Sequence, residues 1–271
     1  MFYAPPFILF NSNSPFMKIA TWNVNSLKVR LPQVIKWLET SPVDVLCLQE
    51  TKLTNDKFPQ AEIEAAGYQV VFSGQKTYNG VAILARHAIS DVVVNNPHFA
   101  DEQQRILTAS IAGMRIVCAY VPNGQALDSD KYQYKLQWLA AFRTWLAEQR
   151  QQFEQLAVLG DYNIAPADAD VHDPAAWQGQ VLVSEPERQA LQALLDIGLA
   201  DSFRLFDQAP KSFSWWDYRA LGFRLNKGMR IDHILLSQAL ASRCNACVID
   251  RVPRKWEQPS DHTPVIASID E

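Results

Sequence analysis

The chain has 271 residues, of which 48% are hydrophobic, and its formal net charge is −4. A chain of this size and composition can bury a large core, and it contains no apolar run long enough for a membrane span. The negative net charge argues against a uniformly basic nucleic-acid binder, and the four cysteines are too few for a disulfide framework. Such cysteine usage favours a reducing compartment, so we expect a cytoplasmic protein.

The first 16 residues are predicted to lie outside the folded domain. They are apolar but contain Pro5, Pro6 and Pro15 and no Lys or Arg, which makes a poor signal peptide. We expect residues 1–16 to be a flexible leader or an extension from an upstream translation start. Residues 17–271 are expected to form a single domain, since no Gly/Ser-rich or charged linker divides them.

Short apolar runs rich in β-branched residues predict many strands. These runs lie near residues 18–22, 43–49, 68–72, 81–84, 89–94, 105–111, 115–121, 156–161, 212–216, 230–236 and 264–269. Apolar residues at helical spacing follow Pro32 and recur over about residues 130–153, and the capping box of Ser184 and Glu187 begins a helix that is predicted to stop at Gly198. Because several strands follow one another with no helix between them, the pattern favours two sheets packed face to face with helices outside.

Polar residues stand at the ends of several of these apolar runs. Seven of them are Asn23, Glu50, Asp161, Asn163, Asp232, Asp261 and His262. A buried carboxylate is costly unless it is paired or binds a metal. Four carboxylates in the company of two Asn and one His therefore indicate a single site along one edge of the sandwich. Oxygen ligands without cysteine suit a hard cation such as Mg²⁺.

The segment from Arg204 to Arg230 combines basic and aromatic residues. It carries six basic residues against two acidic ones, together with several Trp, Tyr and Phe side chains. Basic and aromatic surface is what phosphate contact and base stacking require. A solvated face over ordinary core aromatics is the alternative for this segment. The single C-x-x-C formed by Cys244 and Cys247 has no second pair, so we expect neither a redox nor a zinc site there.

Six short motifs follow one another along the chain. They are Trp22-Asn23-Val24-Asn25, Leu48-Gln49-Glu50-Thr51-Lys52, Ala119-Tyr120-Val121-Pro122-Asn123-Gly124, Gly160-Asp161-Tyr162-Asn163, Arg230-Ile231-Asp232 and Ser260-Asp261-His262. In this order and spacing they resemble the exonuclease III family of abasic-site endonucleases, within the deoxyribonuclease I-like superfamily of phosphodiesterases. The resemblance covers Met17 to Ile269. It implies a four-layer α/β sandwich that hydrolyses DNA phosphodiesters with Mg²⁺, for which Mn²⁺ can substitute.

The same resemblance implies the substrate and the setting. Double-stranded DNA would be cut on the 5′ side of abasic sites, or would lose 3′ nucleotides and 3′ blocking groups, as in base-excision repair. No obligate protein partner and no membrane are implied, and we expect a monomer.

The chemistry of phosphodiester hydrolysis gives the first residues their tasks. The transition state carries extra negative charge on the phosphoryl oxygens, which a cation held by Glu50 with Asn23 or Asn25 can stabilise. Asp161 would accept the proton of the attacking water. Asn163 cannot titrate, so its amide would hold a phosphoryl oxygen or orient Asp161.

The remaining candidates supply hydrogen-bond donors. His262 can donate to a phosphoryl oxygen, and Asp232 is the natural carboxylate to hold its other ring nitrogen and favour the cationic form. The family resemblance places Asp261 close to the metal. Tyr120, neutral near pH 7, can donate to the phosphate. The residues expected at the metal are Asn23, Glu50, Asp161, Asn163, Asp261 and His262.

An abasic sugar leaves the base stack at low cost, and a narrow apolar pocket would accept it and exclude a normal nucleotide. By family analogy Trp215, Met229 and Ile231 line this pocket, with plain core packing as the alternative. Asn25 and Arg30 are also expected at the DNA interface.

By the same family analogy we expect a small residue at the position of His172, which lies in a long loop from Ile164 to Val183 after the Asp161 strand. An imidazole at the DNA groove would obstruct a continuous duplex more than a 3′ terminus. This interpretation predicts a bias toward 3′-end processing over abasic incision. The alternative is a solvated loop histidine.

Three other functions are weighed against the main one. The chain could be chiefly a 3′-end phosphodiesterase or exonuclease with weak abasic incision. A small-molecule phosphatase of the same superfamily would not need the basic and aromatic segment. A DNA-binding protein with a dead site would have no use for all seven polar residues.

Overall fold

The computed structural model of the protein describes residues 16–270, and it contains two six-stranded mixed sheets. The strands are β1 (Phe16–Asn23), β2 (Val45–Gln49), β3 (Gln69–Ser73), β4 (Val81–Ala85), β5 (Ile89–Val94), β6 (Ile106–Ile111), β7 (Met114–Tyr120), β8 (Leu156–Asp161), β9 (Leu199–Asp201), β10 (Asp232–Ser237), β11 (Cys244–Ile249) and β12 (Val265–Asp270). The first sheet has the order β11-β12-β1-β2-β4-β3, and the second has the order β5-β6-β7-β8-β10-β9. The predicted leader lies outside the described residues, except for Phe16, which begins β1.

Helices connect and cover the two sheets. They are α1 (Leu27–Thr40), α2 (Gln60–Ala65), α3 (Asp130–Gln152), α4 (Pro174–Trp177), α5 (Glu185–Leu195) and α6 (Gln238–Ala241). Parallel neighbours require a long crossover, and each sheet has one such pair at its centre. In the first sheet α1 connects β1 to the parallel β2, and in the second α3 connects β7 to the parallel β8.

The alternation of side chains along the central strands builds the layers. In β2, Val45 and Cys47 join residues of the second sheet in the core between the sheets, whereas Leu46 and Leu48 pack with α1. On the other side, β7 and β8 pack against α3 and α5. The order is therefore helices, sheet, sheet, helices, which confirms the predicted α/β sandwich. Among residues 16–270, no helix is long and apolar enough to cross a membrane.

The topology brings the polar strand ends to one edge of the sandwich. β1 and β2 run in parallel and end side by side, and so do β7 and β8. The antiparallel β10 starts where β8 ends, with Asp232 paired to Asp161. β12 likewise starts beside the end of β1, with Val265 paired to Thr21, so the loop before it reaches the same edge.

Some local predictions were wrong. Residues 212–216 do not form a strand: their pairing is limited to isolated bridges of Trp215 with Met229 and with His262. The short β9 and the edge strand β11 were missed, and β11 contains the C-x-x-C of Cys244 and Cys247, whose thiols are free. The capping box of α5 is present as predicted.

Candidate active site

Asn23 joins the two sheets at the centre of the edge. Its side-chain Nδ2 donates to Glu50 Oε1 and to Asp161 Oδ2, each at 2.9 Å. Glu50 follows β2 in the first sheet, whereas Asp161 ends β8 in the second. The backbone carbonyl of Asn23 accepts a hydrogen bond from Ser260 Oγ at 2.7 Å, which ties the Asp261-His262 loop to the same point. One amide therefore fixes the distance between two carboxylates that lie 111 positions apart in the chain.

Lys52 holds the second oxygen of Glu50. Its Nζ lies 2.8 Å from Glu50 Oε2 and donates to Asn25 Oδ1 at 2.6 Å. Burial alone would raise the pKa of Glu50, but Lys52 and the Asn23 amide bring that pKa below its usual value. Glu50 is therefore an anion at neutral pH, and both of its oxygens are oriented.

The backbone of this region is strained at several points. Asn25, Glu50, Lys52 and Asn163 all have φ between 43° and 55°, the left-handed region that non-glycine residues rarely adopt. Such conformations persist only where the surrounding structure over-determines them, and they concentrate at functional sites. All four residues lie within three positions of the end of β1, β2 or β8.

His262 is buried against two carboxylates. Its Nδ1 lies 2.9 Å from Asp232 Oδ2, and its Nε2 lies 3.7 Å from Asp161 Oδ2. Ser214 Oγ donates to Asp232 Oδ2 at 2.6 Å and fixes the orienting carboxylate. Burial opposes a charge on the ring, but Asp232 and Asp161 outweigh it and raise the pKa of His262 to about 10. The ring is therefore cationic at neutral pH and presents Nε2–H to the site.

Asp161 is 1% exposed. Burial raises the pKa of its carboxyl to about 7, although the neighbouring His262 cation opposes that rise. The backbone N–H of Asn163 donates to Asp161 Oδ1 at 2.9 Å, which orients the carboxylate. A carboxyl group that titrates near neutral pH is well matched to accept a proton from water.

Asn163 belongs to a small network of loop amides. Its Nδ2 donates to the Val121 carbonyl at 3.0 Å, and its Oδ1 accepts from Asn123 Nδ2 at 3.0 Å. The loop after β7 thus holds the loop after β8. These side-chain hydrogen bonds hold Asn163 in place, and its backbone N–H then orients Asp161.

Tyr120 ends β7 and faces the two carboxylates. Burial and the negative charges of Glu50 and Asp161 raise the pKa of its phenol well above the usual value, so it is neutral and keeps its O–H. The Arg105 guanidinium lies over the ring, 4.8 Å from its centroid, and Arg105 Nη1 donates to the Tyr120 carbonyl at 3.2 Å.

Asp261 lies between Asn25 and Trp215. Its Oδ1 accepts from Asn25 Nδ2 and its Oδ2 from Trp215 Nε1, each at 3.0 Å. Arg30 is placed behind Asn25, where its Nη1 donates to the Asn25 carbonyl at 2.6 Å and its Nη2 to the Pro259 carbonyl at 3.2 Å. Through these hydrogen bonds, Asp261 and Arg30 connect the loop after β1 to the loop before β12.

The predicted pocket residues form one apolar cluster. Met229 and Ile231 are buried, and Trp215 packs against them partly exposed. Val171 of the loop that follows β8 belongs to the same cluster. Next to it the His172 amide donates to the Gly228 carbonyl at 3.0 Å, and its ring Nδ1 lies 3.3 Å from the same oxygen. The structure therefore places His172 one residue from the contact between this loop and Met229, half-buried at the border of the cluster.

Sequence reasoning missed several residues that organise the site. Lys52, Asn123 and Ser260 lie inside the recognised motifs, and Ser214 lies in the segment at 212–216, yet no role was predicted for them. Position within the motifs was the available signal for the first three. Their specific partners depend on the tertiary fold and could not be deduced from spacing.

Comparisons with known proteins identify the family of the chain. The model of the endonuclease/exonuclease/phosphatase family matches residues 20–262. Exodeoxyribonuclease III of Haemophilus influenzae is 35% identical over 266 residues, which cover 93% of this chain and all of the relative.

Solved structures show the same likeness. A 3′ phosphatase from Neisseria bound to a product DNA hairpin has 47% identity and a TM-score of 0.93, with 94% of this chain and all of that chain covered. An AP endonuclease from Archaeoglobus fulgidus has 40% identity and a TM-score of 0.91 at the same coverage. The predicted resemblance is confirmed: the chain belongs to the endonuclease/exonuclease/phosphatase family, as a phosphodiester-hydrolysing enzyme of the exonuclease III and AP endonuclease type.

Proposed function

We propose that this DNA-repair nuclease is Mg²⁺-dependent and that the residues around Asn23 carry out the hydrolysis, at abasic sites and at 3′ ends of duplex DNA. One observation carries the assignment. The Asn23 amide joins Glu50 and Asp161 at 2.9 Å each, and the cationic His262 lies 3.7 Å from the same Asp161 oxygen. An anionic ligand, a proton acceptor and a cationic donor thus face one another across the junction of the two sheets.

The donor set around Asn23 fits a hard divalent cation. Glu50 and Asp161 offer carboxylate oxygens on either side of one amide, which is the ligand chemistry of Mg²⁺ or Mn²⁺. Asp161, Asp232 and His262 also bring possible ligand atoms within 4.8 Å of one another. A histidine binds a metal only as a neutral imidazole, however. Asp232 favours the cationic form of His262, and this form serves as a hydrogen-bond donor. Glu50 and Asp161 would therefore hold the cation. When bound, it would stabilise the negative charge on the phosphoryl oxygens.

The protein groups divide the remaining work. Asp161 accepts the proton of the attacking water, while the backbone N–H of Asn163 keeps the Asp161 carboxylate in position. His262 Nε2–H and the Tyr120 hydroxyl donate to phosphoryl oxygens, where charge develops in the transition state. All of these groups come from one chain, which supports action as a monomer.

The test is a direct assay with three labelled duplexes: one with an abasic analogue, one with a 3′-phosphate and one with a recessed 3′ end. We expect cleavage with Mg²⁺ or Mn²⁺ and none after chelation with EDTA, with full recovery when Mg²⁺ is added back. Cleavage of a small phosphate monoester that exceeds that of all three duplexes would favour the small-molecule phosphatase instead.

We also propose that 3′-end processing is the preferred reaction. Two observations support this preference: His172 lies at the border of the Trp215–Met229 cluster, and a Neisseria structure at 47% identity is described as a 3′ phosphatase. A half-buried imidazole beside the pocket obstructs a duplex that continues past the site, whereas a 3′ terminus ends before it.

His172→Gly is expected to raise the ratio of abasic incision to 3′-phosphate removal by about tenfold, which corresponds to the removal of a modest steric barrier. The measurement is kcat/KM on both substrates. Gln178→Gly, an exposed position in the same loop, controls for loop flexibility and is expected to leave the ratio unchanged. An unchanged ratio in His172→Gly, or an equal rise in both variants, would contradict the obstruction model.

A further inference from the structure

Lys135 is a buried cation that the catalytic assignment does not use. It lies in α3 with no exposed surface, and its Nζ donates to the Asn163 carbonyl at 2.7 Å and to the Asn123 carbonyl at 3.1 Å. Its third partner is the Glu187 carboxylate, which is also fully buried. Taking two charges out of water is costly, so a pair in this place needs a reason beyond the packing of α3 on α5.

Glu187 is anchored by the start of α5. Its Oε2 accepts from the Ser184 amide at 3.1 Å and from Ser184 Oγ at 2.6 Å. Its Oε1 accepts from the Leu182 amide at 3.0 Å as well as from Lys135. The Glu187 carboxylate is therefore held in one position, and the Lys135 ammonium connects it to the loops after β7 and β8.

Asn163 is the residue that these contacts hold. Its φ of 50° is a left-handed conformation, which persists only where neighbouring groups over-determine it. The Lys135 ammonium holds its carbonyl, while Asn123 and Val121 hold its side chain. In that conformation its N–H points to Asp161 Oδ1 at 2.9 Å.

We propose that Lys135 and Glu187 form a positioning pair that keeps Asn163 in its left-handed conformation and so aims the Asp161 carboxylate at the attacking water. This inference rests on the proposed roles of Asp161 and Asn163. The pair touches no substrate. It acts through Asn163, by holding the loop after β8 against the loop after β7.

The stability of the fold does not explain the pair. A buried ion pair can often be replaced by apolar or neutral groups of similar volume without loss of stability. The packing of α3 is supplied by large apolar residues such as Trp138, Phe142 and Leu146, which form a cluster with β8 and α5. The charge is directed instead at two loop carbonyls beside the catalytic carboxylate.

The main experiment uses the full chain with the double substitution Lys135→Met and Glu187→Gln, which removes both charges and keeps the volumes. We expect kcat on the 3′-phosphate duplex to fall by about 10²-fold, the effect of a small misplacement of a catalytic group, with KM for DNA within about twofold of the parent. Leu146→Ala, a buried change on the same helix about three turns away, is the control. It is expected to lower thermal stability and leave kcat unchanged at a temperature where the protein is folded.

A second background separates positioning from general structure. Asn163→Ala keeps the backbone N–H and carbonyl but removes the side-chain hydrogen bonds to Asn123 and Val121, which releases the turn. In this background the double substitution is expected to lower kcat by less than about threefold, because coupled residues are not additive. Equal losses in both backgrounds, or a loss expressed in KM, would overturn the positioning role. If Asn163→Ala retains full turnover, the proposed role of Asn163 and the inference both fail, whereas loss in Asn163→Ala alone contradicts only the inference.

Hydrogen exchange of the Asn163 amide gives a readout without substrate. Exchange is expected to be faster in the double variant than in Leu146→Ala, since the N–H to Asp161 loses its support. Glu187→Gln alone is the second variant if the double variant does not fold. It keeps the Lys135 donor, so its kcat is expected to lie between those of the parent and Asn163→Ala, and a parental kcat would overturn the inference.

Discussion

Glu50→Gln is expected to lower Mg²⁺-dependent turnover by at least about 10³-fold, the upper range for the loss of one preorganised electrostatic group. Gln has nearly the same shape but no charge. Its oxygen can still accept from Asn23, so the local hydrogen bonds and the affinity for DNA are expected to survive. What is lost is the anion that attracts the cation, and Lys52 is left without its partner.

Three measurements distinguish this loss from misfolding. Turnover is followed across a Mg²⁺ titration, Mg²⁺ binding is measured by calorimetry, and DNA binding by fluorescence anisotropy. Glu62→Gln, on the exposed face of α2, is the matched control and is expected to behave like the parent. A Glu50→Gln protein with near-parental turnover and Mg²⁺ affinity would remove Glu50 from the metal site.

The strand ends were the part of this site that sequence could predict. β2 and β8 are buried along their whole lengths, so a polar residue at the end of each stands out. Parallel pairing at the centre of each sheet then brings these ends to one edge. The fold was therefore predictable from the order of apolar runs, and the positions of Glu50 and Asp161 followed from it.

The edge strands and the segment at 212–216 show why other elements were not predictable. β11 mixes exposed and partly buried residues with only Cys247 buried, so its sequence has a weak pattern. In contrast, residues 212–216 are aromatic and resemble a strand. Their backbone is instead held by single contacts, such as the hydrogen bonds from the Ser214 and Trp215 amides to the Met229 carbonyl.

Positioning groups are the least predictable from sequence. Lys52 lies two residues from Glu50 and could be suspected, but Lys135 meets Glu187 across 52 positions. In sequence, Lys135 is one more polar residue of a long helix, and Glu187 is the second half of a capping box. Only the packing of α3 against α5 shows that both are buried and directed at the loop of Asn163.

The second large effect is expected for Asp232→Asn. The substitution keeps a group beside His262 Nδ1 but removes the charge that makes the ring cationic. Turnover is expected to fall by about 10²–10³-fold, the usual consequence of losing one preorganised donor in the transition state. Asp196→Asn, an exposed position after α5, is the control and is expected to leave turnover unchanged.

The pH dependence gives this prediction a specific sign. Asp232 raises the pKa of His262, so the loss of its charge lowers that pKa, and the alkaline limb of the pH–rate profile is expected to move to lower pH. The pKa of His262 is about 10 in the folded protein and about 6.5 in an unfolded chain. Its contribution to stability is therefore complete below about pH 6.5 and is lost as the pH rises toward 10.

Urea unfolding at pH 6.5 and pH 9.5 tests the same linkage without substrate. The parent is expected to lose free energy of unfolding between the two pH values, and Asp232→Asn is expected to lose less, because its histidine binds fewer extra protons in the folded state. If both proteins show the same pH dependence of turnover and of unfolding, Asp232 does not control the charge of His262. The raised pKa of His262 would then be attributed to Asp161, the other carboxylate beside the ring.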